Sequence, residues 1–319
     1  MSFPKVIILG SISLFLVIGV VGLVKKKREG RESLAPIATQ KEEVEKIEPR
    51  ASEHLKPVSD EITEQEVDQV YRLFTKGKQK HPLVETIRYK SQVPWLQGRP
   101  AWVTDYASHY GTSRHFIARS LNGKRDYTSQ KISQGDQFNV LIPDLSFYLV
   151  VDLSRCKMWF YALGEGGEKR YLLKTYRVGL GRFDERADSG ILTPKGKFSL
   201  GDRVAIYKEG MTGYFQESEV EMVRVFGTRW IPFSEELTGE GESLRGYGFH
   251  GAPWVYDLET SSYKEDLSTI GSYESDGCIR LSQLDIEELY SIVITKPTTV
   301  EIVTDFHDAS LPGQAVEVQ

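Results

Sequence analysis

The sequence predicts a mainly β protein: a long C-terminal sandwich or barrel, preceded by a small α+β segment and an apolar N-terminal helix. Three observations carry this. From Ser146 onward, short β-rich runs alternate with Gly, Asp and Ser clusters, and no comparable helical period appears before Leu284–Val293. Helical patterns and a turn signal crowd residues 99–143. One uncharged stretch of nineteen residues, Val6–Val24, opens the chain.

At 1.5 Å per residue, Val6–Val24 is long enough to cross a bilayer as one helix. A core helix is rarely apolar on every face at a chain terminus, and a signal peptide ends in small residues. Here Lys25, Lys26, Lys27 and Arg28 follow instead. Residues 1–31 therefore read as a retained membrane anchor with a basic flank. That segment carries +5 of a net charge of −5, so the remaining chain is −10 and acidic. Such a balance argues against nucleic acid as a partner. Taken literally, the positive-inside rule places Lys25–Arg28 in the cytoplasm.

Residues 32–60, rich in Glu, Lys, Ala, Pro and Ser, read as a flexible charged tether. In the segment 61–98, Val67, Val70, Tyr71 and Phe74 recur at helical spacing behind Thr63 and Glu66. This predicts a helix over Thr63–Lys76. Two short helical patterns follow, around Val103–Tyr110 and Phe116–Leu121, then an Asn122-Gly123 turn and a strand over Ile132–Val140. In the β-rich part, strands are expected at Phe147–Asp152, Lys157–Tyr161, Tyr171–Val178, Gly196–Leu200 and Trp230–Phe233. Leu284–Val293 is the closing helix, N-capped by Ser282 and Asp285, and 307–319 reads as a frayed tail.

Of the 319 residues 40% are hydrophobic and 27% charged, a globular composition. Two cysteines, Cys156 and Cys278, cannot build a disulfide-dense framework or a four-cysteine zinc site. None of the six histidines shares metal-ligand spacing with another donor, so no metal or cofactor is expected. His109 and His115 read as surface residues. Gly179–Asp184 lacks a third glycine and a following βαβ pattern, which removes a nucleotide-loop reading.

Two stretches carry the chemistry. In Tyr247–Gly251, glycines flank His250 in an extended run, with His250 facing opposite to Tyr247 and Phe249. In Ser275–Leu281, Gly277 permits a tight turn that presents the Cys278 thiol. If the chain is extended beyond it, Cys278 and Arg280 project together while Ile279 and Leu281 anchor in the core. Cys156 lies away from both and reads as an inert buried thiol.

The His-Gly strand followed by Ser-x-Gly-Cys-Ile-Arg-Leu resembles the signature of the L,D-transpeptidase (YkuD-type) catalytic domain. Phe147–Asp152, Met158–Tyr161, Val178–Gly181, Thr193–Phe198 and Asp285 with Leu289 follow that family's order, so the resemblance spans 146–306. It implies a β-sandwich cysteine acyltransferase acting on peptidoglycan stem peptides. By the family pattern Cys278 is the nucleophile, His250 the general base and the Gly251 carbonyl the group that orients the imidazole. The N–H groups of Gly277 and Cys278 would be oxyanion donors. Arg280 would hold the loop or a substrate carboxylate, and Ser275 would fix the turn. A disulfide between Cys156 and Cys278 would remove the nucleophile, so none is expected.

Two departures stand out. Many members have histidine where this chain has Asp276, and an acid there raises a thiol's pKa unless a cation compensates. The stretch from Gly251 to Gly277 is also long for the family. It reads as a lid whose Trp254, Tyr256 and Tyr263 contact substrate.

Residues 99–143 resemble a LysM module, the small βααβ domain that binds N-acetylglucosamine-containing glycans. The resemblance rests on Tyr110-Gly111, Phe116, Leu121-Asn122, Ile132 and Gly135–Phe138. No opening strand is recognisable around Leu96–Val103. Glycan strands are the partner this implies. Together the resemblances place the catalytic domain outside the cytoplasmic membrane, held by a single-pass anchor and against the literal charge rule.

Overall fold

The computed structural model describes residues 66–122, 131–237 and 246–316. The apolar stretch Val6–Val24 and the tether 32–60 lie outside the described residues. Among those described, no helix is long and apolar enough to cross a membrane.

The helix expected over Thr63–Lys76 is reduced, in its described part, to one turn, Tyr71–Phe74 (α1). The residues before it run along a strand: Gln69 N–H donates to the Leu173 carbonyl at 2.7 Å, and Thr175 N–H donates to the Val67 carbonyl at 2.9 Å. Pairing with a strand satisfies the main-chain groups that a helix would otherwise bond internally. The helical spacing survives as Val70 and Leu73 in the core with Phe74 packed against it.

A small unit follows: β1 (Val84–Arg88), α2 (Val103–His109), α3 (Arg114–Asn122) and β2 (Gln137–Leu141). The two strands pair antiparallel from Val84↔Leu141 to Arg88↔Gln137, so the topology is βααβ with its opening strand well before position 96. Tyr89, Tyr106, Ile117 and Phe138 form its own core. His115 is not a surface residue. It is buried with its ring edge-on to Tyr290 at 5.4 Å, because α3 turns this face toward the following domain. Phe116 beside it enters the main core.

The rest is built on one ten-stranded sheet. Its strands are β3 (Ser146–Asp152), β4 (Lys157–Gly164), β5 (Lys169–Arg177), β7 (Gly196–Leu200), β8 (Ala205–Ile206), β11 (Arg229–Glu236), β12 (Gly248–Gly251), β16 (Ile279–Leu281), β17 (Thr298–Val303) and β18 (Gln314–Ala315). The order is β16-β12-β11-β7-β17-β3-β4-β5-β18, with β8 on β11. Most neighbours are antiparallel, while β12/β16, β3/β17 and β5/β18 are parallel. Off this path lie β6 (Leu180–Gly181) paired with β15 (Tyr273–Ser275), and two hairpins, β9–β10 (Thr212–Phe215, Ser218–Glu221) and β13–β14 (Trp254–Asp257, Ser262–Glu265). A one-turn helix α4 (Val223–Phe226) follows β10, and α5 (Gln283–Val293) joins β16 to β17.

The sandwich or barrel expected from the sequence is therefore one continuous sheet around a shared core. Phe147 and Phe160 from one half meet Phe233 and Phe249 from the other in a single cluster, with Ile286, Leu289 and Ile292 of α5 packed among them. Each phenylalanine so buried contributes roughly 2–3 kcal/mol. On the opposite face Tyr148, Val150 and Trp159 pack under Phe306. Burial on both faces is why β3 and β4 read as apolar runs without clean alternation.

Candidate active site

Parallel pairing of β12 with β16 sets His250 opposite Arg280 and Phe249 opposite Ile279. Adjacent strands lie about 4.8 Å apart, so the histidine strand and the strand leaving Cys278 are direct neighbours. Ile279 and Leu281, fully buried, fix β16 in the core, and Phe249 does the same for β12. Both chemically able side chains are thus held by apolar residues one position away.

The Cys278 loop is tied down by Ser275. This buried hydroxyl donates to the Cys278 carbonyl at 2.6 Å and accepts from Gly277 N–H at 3.1 Å. Gly277, expected as an oxyanion donor, therefore spends its N–H on the turn itself. Of that expected pair, the Cys278 N–H is the donor Ser275 does not engage. Gly277 has φ +112°, and a Cβ there would lie 2.4 Å from the Tyr247 ring and 2.7 Å from the Leu192 carbonyl oxygen. Only glycine fits. The half-buried Cys278 thiol donates to the Gly246 carbonyl at 3.2 Å.

His250 is 4% exposed and donates from Nδ1 to the Gly251 carbonyl at 2.7 Å, which directs Nε2 as the free basic nitrogen. Above it lies an aromatic cluster that the sequence reading missed. Phe226 meets the imidazole edge-on at 5.4 Å, and Trp230 lies 6.2 Å away across the β11–β12 pairing. Tyr207 and Phe215 pack in turn on Phe226. The signal was available in the aromatic-rich stretch between Leu200 and Trp230. This cover is pressed close because Gly227 abuts Gly251: a Cβ on Gly227 would come 2.7 Å from the Gly251 backbone.

Burial dominates the electrostatics. It lowers the His250 pKa to about 4; the Gly251 bond opposes this, and Arg280 adds to it. Burial likewise raises the Cys278 thiol to about 11, with the Gly248 main chain and Arg280 lowering it and Asp276 raising it. The resting site is a neutral thiol beside a neutral imidazole. Asp276 is ion-paired with Arg182, the cation that offsets its charge next to the nucleophile. Arg182 stands where it does because its N–H donates to the Ser275 carbonyl at 2.9 Å, next to the β6–β15 pairing.

Arg280 is half-buried, held by reciprocal 2.9 Å main-chain bonds to Gly179, and its Nε has no hydrogen-bond partner. Its guanidinium makes no ion pair among the described residues. Trp254 and Tyr256 sit on β13, in a groove facing α4 rather than on the Cys278 loop, and Tyr263 packs on Tyr256 at 5.3 Å. The stretch expected as a lid forms this hairpin, and the rings that pack on His250 come instead from Phe226 and Trp230 in the β8–β11 segment. Cys156 is buried near Tyr273, and burial pushes its thiol up. Among the described residues no cluster of His, Cys, Asp and Glu has the makings of a metal site.

No curated protein matches this chain. Similar solved structures include the helical cell shape determining protein Pgp2 from Campylobacter jejuni, at 17% identity over 53% of this chain and 50% of that one, TM-score 0.34. Another is Bdellovibrio bacteriovorus Bd1075, at 15% identity over 53% and 49%, TM-score 0.32. The chain spans about half the length of these structures. Residues 146–302 match a family described as the L,D-transpeptidase catalytic domain, and the site lies within that span: this part of the chain belongs to the YkuD family.

Proposed function

We propose that this protein is a peptidoglycan L,D-transpeptidase working through a Cys278 acyl-enzyme. One observation carries the reading: strand pairing sets a histidine with a fixed tautomer beside a cysteine loop pinned by Ser275. As the sulfur attacks the carbonyl preceding the terminal D-residue of a tetrapeptide stem, its proton passes to His250 Nε2. The tetrahedral oxyanion takes the Cys278 N–H, and the C–N bond breaks as His250 returns the proton to the leaving amine. Arg280, a partly desolvated cation without an ion-pair partner, suits a stem carboxylate. An incoming amine then resolves the thioester, forming a cross-link or attaching a protein to the wall.

The βααβ unit supports a second role, holding glycan as a LysM-like module. Val6–Val24 anchors the protein in the cytoplasmic membrane, with the catalytic domain on the extracytoplasmic side.

Mass spectrometry on the full chain incubated with tetrapeptide muropeptides tests the reaction. Acyl-enzyme and cross-linked dimers are expected, and both vanish in Cys278→Ala. Tripeptide alone would identify an L,D-carboxypeptidase using water. No acyl-enzyme, with retention on purified sacculi, would identify a catalytically inactive wall-binding protein.

A further inference from the structure

The Gly251 carbonyl fixes the His250 imidazole, so whatever holds Gly251 also sets the base. On one side β16 holds it. Gly251 is in register with Leu281, and Ala252 N–H donates to the Leu281 carbonyl at 2.7 Å. On the other side the β11–β12 register ends at Trp230↔His250, and past it the chain meets Gly227 and Thr228 main chain to main chain. A Cβ on Gly251 would lie 3.2 Å from both the Gly227 Cα and the Thr228 nitrogen, and 3.4 Å from Cγ2 of Ile286 on α5. Gly251 is thus packed between residues 227–228 and the closing helix.

Residues 227–228 are themselves anchored to that helix by a side chain. The buried Thr228 hydroxyl donates to Glu287 Oε1 at 2.9 Å. The same oxygen accepts from Gln283 Nε2 at 3.2 Å, and Arg229 approaches it at 3.7 Å, so its place on α5 is fixed. Glu287 directly follows Ile286: α5 presses on Gly251 with one residue and grips the facing segment with the next. Replacing a buried polar pair by apolar groups of the same shape is often nearly neutral for stability. What such a pair supplies is a fixed geometry, here one contact away from the carbonyl that orients the base.

We propose that Thr228 and Glu287 are positioning residues for His250, holding residues 227–228 against Gly251 so that its carbonyl stays in line with Nδ1. Neither touches the reacting atoms. The proposal rests on the transpeptidase reading above for the reaction it serves, while the histidine tautomer can be read without it. Once the Thr228–Glu287 bond is lost, the Gly251 peptide is free to turn and Nδ1–H loses its acceptor. The imidazole then samples the tautomer protonated at Nε2, which cannot take the thiol proton.

The test uses the full chain and two readouts. One is the rate of acyl-enzyme formation from a tetrapeptide donor. The other is the His250 tautomer, read by nitrogen NMR of histidine-labelled protein and assigned with His250→Gln. Thr228→Val should slow acylation by about tenfold or more with donor KM within about twofold, because a small displacement of a reacting group acts on rate. It should also show a His250 population protonated at Nε2, which lower stability alone would not produce. Thr228→Ser keeps the hydroxyl and should restore both readouts. Glu287→Met breaks the same bond from the other end and should match Thr228→Val. If acyl-enzyme forms and Thr228→Val leaves either its rate or the tautomer unchanged, or Thr228→Ser falls with it, the assignment is wrong and the transpeptidase reading stands. If neither Thr228→Val nor Glu287→Met folds, the bond holds the domain rather than the histidine, and the assignment is equally wrong. If the unmodified protein forms no acyl-enzyme, the transpeptidase reading falls and the tautomer alone decides the positioning role.

Discussion

His250 and Gly251 are adjacent in sequence, and the side chain of the first donates to the carbonyl of the second at 2.7 Å. A carbonyl can only accept, so Nδ1 carries the proton and Nε2 is the base. An acidic third residue would favour imidazolium; a neutral carbonyl in a buried aromatic setting does so far less. The Cys278–His250 pair therefore rests as a neutral thiol and a neutral imidazole near neutral pH.

The pH dependence of thiol reactivity follows. With the thiol raised to about 11, alkylation of Cys278 by iodoacetamide should climb with pH by about tenfold per unit from pH 7 to 10. A plateau below pH 8 would show an ion-paired thiolate instead.

Arg182 and Asp276 should act on this reactivity in opposition. Removing the cation in Arg182→Gln leaves Asp276 facing the nucleophile and should slow alkylation at pH 8 by about two- to fivefold, a small effect because the pair is exposed. Adding Asp276→Asn to that variant should restore the rate. Equal slowing in both would mean that the pair shapes the loop rather than its charge.

Gly277→Ala should cost acylation at least about 100-fold, since the added Cβ strikes Tyr247 and the Leu192 carbonyl and the positive φ adds roughly 1–3 kcal/mol of strain. Acyl-enzyme burst amplitude and thermal unfolding measure the two parts. An alanine variant of unchanged burst rate would place the turn outside the chemistry.

Acid should destabilise the fold through buried histidines. Burial lowers His81 to about 3, and His115 and His250 to about 4, against an ordinary 6.5. The unfolded chain then binds more protons between these values, so stability is full above pH 6.5 and lost as pH falls toward 4. His81→Gln removes one such proton and should flatten the urea-derived stability slope by about 1 kcal/mol per pH unit between pH 6 and 4. An unchanged slope would mean that His81 charges without unfolding.

Lys174 joins the segment before α1 to the catalytic domain. Its ammonium contacts Glu288 at 2.7 Å, Asp285 at 3.0 Å and Asp68 at 3.3 Å, while Arg119 of α3 reaches Glu288 at 3.9 Å. Lys174→Met should destabilise by about 3 kcal/mol because Glu288, whose carboxyl pKa burial already raises, loses the nearest cation that opposes that rise, and adding Glu288→Gln should recover part of this. Urea unfolding gives both numbers, and a neutral Lys174→Met would show that water already compensates Glu288.

Local pattern made much of this protein legible. The strands Gly196–Leu200 and Phe147–Asp152, the helix capped by Ser282, and the two motifs holding His250 and Cys278 all rest on neighbours within a few residues, which a linear reading can see. Where that reading erred, a distant partner decided. Residues 67–69 lie extended, bridged to β5 at Asp68↔Lys174, because β5 offered hydrogen bonds, and β1 went unseen because Val84–Arg88 is strand only beside Gln137–Leu141. Gly277 N–H was claimed by Ser275, and the cover on His250 came from Phe226, which touches it only after β11 has paired with β12. The sequence by itself determined which groups can do chemistry, because reactivity belongs to the residue type and its immediate turn. Tertiary structure alone decided their charge states and their surroundings, because desolvation and ion pairing arise only when remote segments exclude water together.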